Sequence, residues 1–395
     1  MTAVRLGADA GKCSAPEALT VGTRGESREG ARFVGVSREA NMRRTPLYEE
    51  HVARGGKMVD FHGWLLPIQF RGIIEEHHHT RSKVSLFDCS HMGEFLLKGA
   101  KAMRALEGMV FNDMICLRVG RCRYSSILDT CGGIIDDVVA MKLSEDELFI
   151  ATNAGPYPRV ARTLYRVCGA QDLSPATAKI DVQGPLSRQA LIDAGLGEVA
   201  SLKYYTVCRA KWGGADIIIS RAGYTGELGF ELFVPNELAV PIWRRLLEDE
   251  RVEPAGLGAR DTLRLEMGYT LYGQDVDDSH TTLEAGMGRF IDWESDFHAK
   301  EFLVMQRQMG KYKIRTGIRS MNRQAPRQGY EVFHEGQPVG VVTSGCYGPS
   351  VGYGIGMAYV PVELSKPGVR FTAGPKDMEI EAVELPFYKH GTCRA

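Results

Sequence analysis

Two adjacent carboxylates, Asp136 and Asp137, follow paired glycines in the stretch Gly132-Gly133-Ile134-Ile135-Asp136-Asp137. A carboxylate held beside a reacting nitrogen can move a proton or stabilise developing positive charge. The segment Tyr124 to Asp129 reads as a strand and Val138 to Met141 as its return, so the two form a hairpin whose turn carries Cys131 and the glycines. Glycine at both positions allows a tight turn and lets a flat ligand approach the backbone. Side chains alternate along the return strand, so Asp136 and Asp137 point to opposite faces. Either one looks into a cavity while the other tethers the turn, or both are turn aspartates.

A second chemical stretch runs from Arg221 to Leu232, with Gly223, Gly226 and Gly229 opening a turn before a strand. Glu231 alternates with Phe230 and Leu232, so it faces solvent or is aimed into a site. In the segment opened by Pro254-Ala255-Gly256, Arg260, Leu263, Arg264 and Met267 share a helical face. An arginine beside core leucines takes a carboxylate partner, from the protein or from a ligand. Asn153 ends the strand Glu147 to Thr152, where it either binds a polar ring edge or caps the next helix. The run His77-His78-His79 is no metal site, because neighbours on a helix point about 100° apart. Solvated surface is the expectation for all three.

These groups need a large scaffold. The chain has 395 residues, enough for two or three domains, with 48 basic against 49 acidic residues and an apolar fraction of 44%. Balanced charge gives no bias toward nucleic acid, and no apolar run reaches the roughly 20 residues of a membrane span. Nine cysteines are scattered without a C-x-x-C pair, which fits reduced thiols. Residues 1–42 are rich in Gly, Ala, Ser and Arg and are expected to be a disordered extension. Their acids (Asp9, Glu17, Glu26, Glu29 and Glu39) argue against a mitochondrial presequence, and Met42 is an alternative start. Thr45-Pro46 predicts a helix start, Ile73 to Lys83 a short helix, and Val84 to Leu97 one strand interrupted by Ser90-His91. Further helices are expected over Ala100 to Val110, Tyr157 to Val167 and Asn236 to Glu250, the last with Ile242, Trp243, Leu246 and Leu247 as its core stripe. From Lys313 to Tyr388 the pattern is short strands between Gly/Pro turns without a clear helix.

In family order, eight words run through the chain: Arg-Thr-Pro-Leu-Tyr at 44–48, Met-Val-Asp-Phe-His-Gly-Trp at 58–64, Phe-Asp-Cys-Ser-His-Met-Gly-Glu at 87–94, Gly-Gly-Ile-Ile-Asp-Asp at 132–137, Gly-Tyr-Thr-Gly-Glu-Leu-Gly-Phe-Glu at 223–231, Gly-Leu-Gly-Ala-Arg-Asp at 256–261, Leu-Tyr-Gly-Gln-Asp at 271–275 and Pro-Phe-Tyr at 386–388. With them the sequence resembles the folate-binding glycine-cleavage T-protein (aminomethyltransferase) family. The resemblance implies an α+β fold of three antiparallel domains in a cloverleaf around a central folate channel, the last a small β-barrel. Residues 43–308 would form the folate-binding catalytic region and 309–395 the barrel. It implies transfer of a one-carbon unit from the aminomethyl-lipoyl arm of the H-protein to tetrahydrofolate, with release of ammonia. The expected protein is a cytoplasmic monomer, or a mitochondrial matrix one if a presequence is present, and binds neither nucleic acid nor membrane. Carried over by position, the catalytic aspartate falls on Asp137 and the pterin-binding glutamate on Glu231. Further folate contacts fall on Met92, Tyr124, Asn153, Tyr224, Arg260 and Tyr269, and no metal is implied.

Three positions depart from the family pattern. Arg289 stands where a tryptophan is usual, Gly348-Pro349 replaces Ser-Pro, and Asp181 occupies a strand position that is normally uncharged. Relatives of this fold demethylate sarcosine, dimethylglycine or dimethylsulfoniopropionate with folate as acceptor. Arg289 in the channel would suit such a carboxylate, which makes a tetrahydrofolate-dependent demethylase the second reading. A non-enzymatic relative that assists iron–sulfur assembly carries a cysteine in its Lys-Gly-Cys-Tyr-x-Gly-Gln-Glu segment. Here Leu271-Tyr272-Gly273-Gln274-Asp275 has none.

Overall fold

A computed structural model describes residues 42–395. The expected extension over residues 1–42 lies, but for Met42, outside the described residues. The fold is mixed α+β, with three open sheets followed by a closed antiparallel barrel.

A six-stranded sheet has the order Val207–Trp212, Ala215–Ser220, Gly229–Pro235, Thr177–Gln183, Val84–Asp88, Val252–Pro254, antiparallel except for the last pair. One face alternates Ala178, Ile180 and Val182 with Phe230, Leu232 and Val234 across the pairing, and packs under helices Ser187–Asp193 and Asn236–Leu246. A five-stranded antiparallel sheet has the order Cys122–Leu128, Ile134–Ser144, Glu147–Thr152, Gly93–Lys98, Gln171–Asp172. Helices Ala100–Glu107 and Tyr157–Cys168 cover its outer face with Met103, Leu106, Val160 and Leu164. The remaining faces of these sheets meet through Leu96, Cys122, Met141, Phe149, Ala151, Val207 and Phe233. The polar positions on those facing surfaces form the site.

The barrel closes in the order Lys313–Ser320, Gly354–Pro361, Gln337–Tyr347, Glu331–His334, Arg370–Ala373, Met378–Val383. Helix Leu257–Glu266 ties it to the rest. Buried Arg264 reaches Asp275 at 2.6 Å and Ser344 at 2.8 Å, and Asp275 also takes the Thr343 hydroxyl at 2.6 Å. Breaking such a buried pair typically costs about 3–5 kcal/mol.

Three local expectations need correction. Val84 to Leu97 is two strands in different sheets, because Ser90-His91 is a crossover and not a flaw in one strand; Asp88 Oδ1 accepts the Ser90 N–H at 2.9 Å to turn the chain. Thr45 does not cap a helix, since its hydroxyl is taken by Asp88 at 2.6 Å and the helix begins at Tyr48. Of the three histidines only His78 is solvent-exposed. His77 is fully buried, bonding Thr262 at 2.8 Å and Ser350 at 2.7 Å, with Glu266 at 3.2 Å. The same 100° step that forbids a three-histidine metal site turns one of them inward. Among the described residues no group of His, Cys, Asp and Glu could hold a metal ion, and no helix is long and apolar enough to cross a membrane.

Candidate active site

The hairpin that carries the paired aspartates joins Cys122–Leu128 to Ile134–Ser144. Asp129 holds its turn, accepting the N–H groups of Cys131 at 2.8 Å and Gly133 at 2.9 Å. Gly132 sits at φ 82°, and a Cβ on Gly133 would run into the Asp278 carbonyl. Both glycines are therefore required by the turn and its neighbour. A bulge follows, since Ile127 pairs with Asp136 and Leu128 with Ile134, leaving Ile135 extra. Bulges re-aim side chains, and this one sets both aspartates at the sheet rim.

Asn153, one residue beyond the neighbouring strand, spans that rim. Its backbone N–H donates to Asp136 Oδ2 at 2.9 Å. Its side-chain Nδ2 donates to Asp136 Oδ1 at 2.7 Å and to Asp137 Oδ1 at 2.9 Å. Tyr124 donates its hydroxyl to the other oxygen, Asp137 Oδ2, at 3.0 Å. The aspartates thus leave the strand in opposite directions yet share one carboxamide. Asp136 is fully buried, whereas Asp137 keeps some exposure. Burial, reinforced by the charge of Asp137, pushes the Asp136 carboxyl well above the usual range. Burial also raises Asp137, to about 6, while the Tyr124 and Asn153 hydrogen bonds work against it. Both carboxyls are thus held above the usual range, with both oxygens of Asp136 accepting from Asn153 and those of Asp137 from Asn153 and Tyr124.

On the facing sheet, Asp181 and Glu231 are direct register partners. Lys179, two residues before Asp181, sends its ammonium between them, 2.5 Å from Asp181 and 2.9 Å from Glu231. The second Glu231 oxygen takes the Ser220 hydroxyl at 2.8 Å. Arg260 donates to the other oxygen of Asp181 at 2.8 Å, and its guanidinium lies 4.9 Å from the Tyr224 ring centre. Tyr224 stacks on Tyr269 with centroids 5.8 Å apart and donates its hydroxyl to the Thr270 carbonyl. The Thr270 hydroxyl lies 3.5 Å from that of Tyr124, which joins this wall to the aspartate wall. The glycine turn before Glu231 is equally constrained: a Cβ on Gly223 or Gly229 would collide with the Gln183 amide. Thr392 fixes the same turn by bonding Glu227 and the Leu228 N–H.

Of the positions singled out in the sequence, Asp137, Tyr124 and Asn153 meet directly. Glu231 and Arg260 are joined through the Lys179–Asp181 pair, and Tyr224 and Tyr269 stack. Met92 contributes an apolar contact, packing with Phe87, Cys89, Ala255, Ala259 and Leu263. Sequence reasoning missed Lys179, Thr270 and Glu94. Lys179 was signalled by its alternation with Asp181 inside an otherwise apolar strand. Glu94 precedes Phe95-Leu96-Leu97; it is fully buried and neither carboxyl oxygen has a partner. Burial, partly offset by Lys179, pushes its pKa well up. Arg289 is exposed, its guanidinium 4.8 Å from the ring of Phe290, and it pairs with neither Asp292 nor Glu294. Phe290 meets Tyr124 edge-on at 5.7 Å. Gly348-Pro349 belongs to the barrel loop that brings Ser350 to His77 and Glu266, away from the aspartates.

Two family profiles match the chain: GCVT N-terminal domain over residues 47–295, and glycine cleavage T-protein C-terminal barrel domain over residues 315–389. The chain belongs to the glycine-cleavage T-protein family. It is 38% identical over 356 residues to an aminomethyltransferase of Halothermothrix orenii, covering 88% of this chain and 100% of that one. An aminomethyltransferase of Thermotoga maritima is 38% identical over 362 residues, covering 88% and 98%. The crystal structure of glycine cleavage system aminomethyltransferase T from Bartonella henselae superposes with a TM-score of 0.84 at 32% identity, over 89% of this chain and 99% of that chain. This T-protein family member is an aminomethyltransferase of the glycine cleavage system, with the mixed α+β fold and C-terminal six-stranded barrel of its relatives. The folate-binding character of the family implies use of tetrahydrofolate.

Proposed function

We propose that the chain transfers the aminomethyl carbon carried on the lipoyl arm of the H-protein to tetrahydrofolate, releasing ammonia, with Asp137 as the catalytic carboxylate. These two walls suit a flat ring that presents N–H donors. Tyr224 and Tyr269 supply planar walls, and Glu231 keeps a second lone pair on each oxygen after bonding Lys179 and Ser220. Tetrahydrofolate supplies the nitrogen nucleophiles that accept the carbon.

The protein's own groups carry the rest. Asp137, raised to about 6, is ionised at neutral pH yet basic enough to take a proton from an attacking nitrogen. Its charge also stabilises positive charge developing on the carbon under transfer. Tyr124 and Asn153 fix its two oxygens, so little reorganisation is needed when the charge moves. Asp136 and Asn153 form the inner support of this arrangement, and Glu231 orients the ring from the facing wall. Arg260, Asn153, Tyr124, Met92 and Tyr269 complete the folate-contacting set.

The observation that carries the reading is Asp137, its two oxygens fixed by Tyr124 and Asn153, joined through Thr270 to the stacked Tyr224–Tyr269 wall. The demethylase alternative needed Arg289 in the channel, and an exposed Arg289 stacked on Phe290 leaves it without that support. The deciding experiment is turnover with tetrahydrofolate and aminomethylated H-protein, reading ammonia, alongside sarcosine, dimethylglycine and dimethylsulfoniopropionate. Ammonia release only with the H-protein is expected, and faster turnover of a small methylated donor would overturn the assignment. Glu231→Gln should weaken tetrahydrofolate binding roughly ten- to a hundredfold, because the amide turns a donor toward a ring donor at a cost of about 1.5–3 kcal/mol.

A further inference from the structure

The geometry points to Lys179 and Asp181 as a positioning pair that sets how Glu231 and Arg260 face the folate ring, a role that rests on the folate reading above. Two carboxylates directly opposed across antiparallel strands repel, and Asp181 and Glu231 are such partners. Lys179 resolves the conflict from the same face of its strand, 2.5 Å from Asp181 and 2.9 Å from Glu231. Lys179 is 1% and Asp181 0% exposed, so neither is a solvated surface charge. Asp181 uses its free oxygen to hold Arg260 at 2.8 Å, with the guanidinium over Tyr224. One buried pair therefore orients both the carboxylate and the guanidinium on this wall. Ser220 completes the clamp by taking the second Glu231 oxygen.

Removing Lys179 alone leaves the two carboxylates facing one another with no cation between them, since Arg260 reaches only the far oxygen of Asp181. One of them must then take up a proton or swing away, and Glu231 no longer presents two fixed acceptors. Removing the charge of Asp181 as well relieves the repulsion, while the asparagine oxygen still accepts from Arg260. Replacing both members of a buried ion pair is also far better tolerated than orphaning one.

The test compares Lys179→Met, Lys179→Met/Asp181→Asn and Glu231→Gln in the full chain. It reads the Kd for 5-formyltetrahydrofolate by calorimetry, the KM for tetrahydrofolate against kcat, and the melting temperature. Lys179→Met is expected to raise Kd and KM ten- to a hundredfold with kcat changed less than threefold, and the double variant to recover at least tenfold of a hundredfold loss. A merely structural role would lower the melting temperature without this split or this rescue. Lys179→Gln keeps donors for both carboxylates; it should fold readily and raise Kd threefold or more, which keeps the test open if Lys179→Met is insoluble. Wild-type Kd in Lys179→Met or Lys179→Gln, or a double variant that binds no better than the single, overturns the pair's role. If Glu231→Gln itself binds normally, the folate reading falls; if only Glu231→Gln is impaired, the pair's role falls and the folate reading stands.

Discussion

Replacing Asp137 by Asn removes one charge and keeps an acceptor for Tyr124. Burial raises this carboxyl from 3.8 to about 6. That corresponds to about 3 kcal/mol of cost to the ionised form in the folded protein. The sign follows from linkage. The unfolded chain ionises near pH 4 and the folded one near 6, so this residue's contribution is fully present below pH 4 and is lost as pH rises through 6. Asp137→Asn also sets an amide donor against the Asn153 donor, a fixed cost of about 1–3 kcal/mol. The linkage therefore shows as a rise in its stability relative to the wild type of roughly 1–2 kcal/mol between pH 5 and pH 8. The same substitution should lower kcat by on the order of a hundredfold, about 3 kcal/mol of transition-state stabilisation, with folate Kd within threefold. Scanning calorimetry at pH 5 and 8, ammonia release from aminomethylated H-protein, and titration with 5-formyltetrahydrofolate measure the three quantities. Wild-type kcat should fall on the acid side with a midpoint near 6. Asp136→Asn should cost much less rate. Equal loss of rate at both positions, with no relative gain in stability between pH 5 and pH 8, would reduce the pair to turn residues and refute the reasoning.

Three further outcomes follow from the geometry. Arg289→Ala should leave aminomethyl transfer within twofold and the melting temperature within a degree, since Arg289 is exposed and has no ionic partner; a tenfold loss in steady-state assays would put it in the substrate's path. Gly133→Ala forces a methyl group into the Asp278 carbonyl, so it should lower stability by about 1–3 kcal/mol and kcat at least tenfold, and an unperturbed enzyme would mean that the turn adapts. Glu266→Gln removes the charge that faces Arg81 at 2.8 Å and His77 at 3.2 Å, and urea denaturation should show a loss of about 3–5 kcal/mol. Burial pushes the Glu266 carboxyl up, but His77 and Arg81 outweigh it and hold it at about 2, so the loss should be present above pH 4.5 and fade as pH falls toward 2.

Local order was legible where one strong pattern spoke alone. The strand Glu147–Thr152 was readable to the residue, and the stripe Ile242, Trp243 and Leu246 is buried as its 3.6-residue period requires. Barrel strands were legible from their turns, though closure is a property of pairing that no single strand displays. Ser90-His91 misled because a crossover between sheets and a polar break in one strand look alike in sequence. His77 misled because which face of a short helix turns inward depends on Glu266 and Ser350, distant in the chain. The aspartate hairpin was visible as a turn, but its bulge and the shared Asn153 amide depend on three strands lying side by side. Lys179 shows the same limit: alternation puts it on the face of Asp181, yet only the register with Glu231 reveals what the ammonium answers.

The single carboxamide that serves two acids also limits how this site can change over time. Asn153 spreads two N–H groups over Asp136, Asp137 and a backbone carbonyl, so the two acids share one donor group. An aspartate at 153 would bring a third acid against two, and an alanine would leave the buried Asp136 with only the backbone N–H of that residue. Losing Asp136 alone would leave the Asn153 backbone N–H without its acceptor. Each single step away is thus a loss, although a joint replacement need not be. Lineages that keep this geometry should hold the trio unchanged, and those that abandon it should have altered all three positions together.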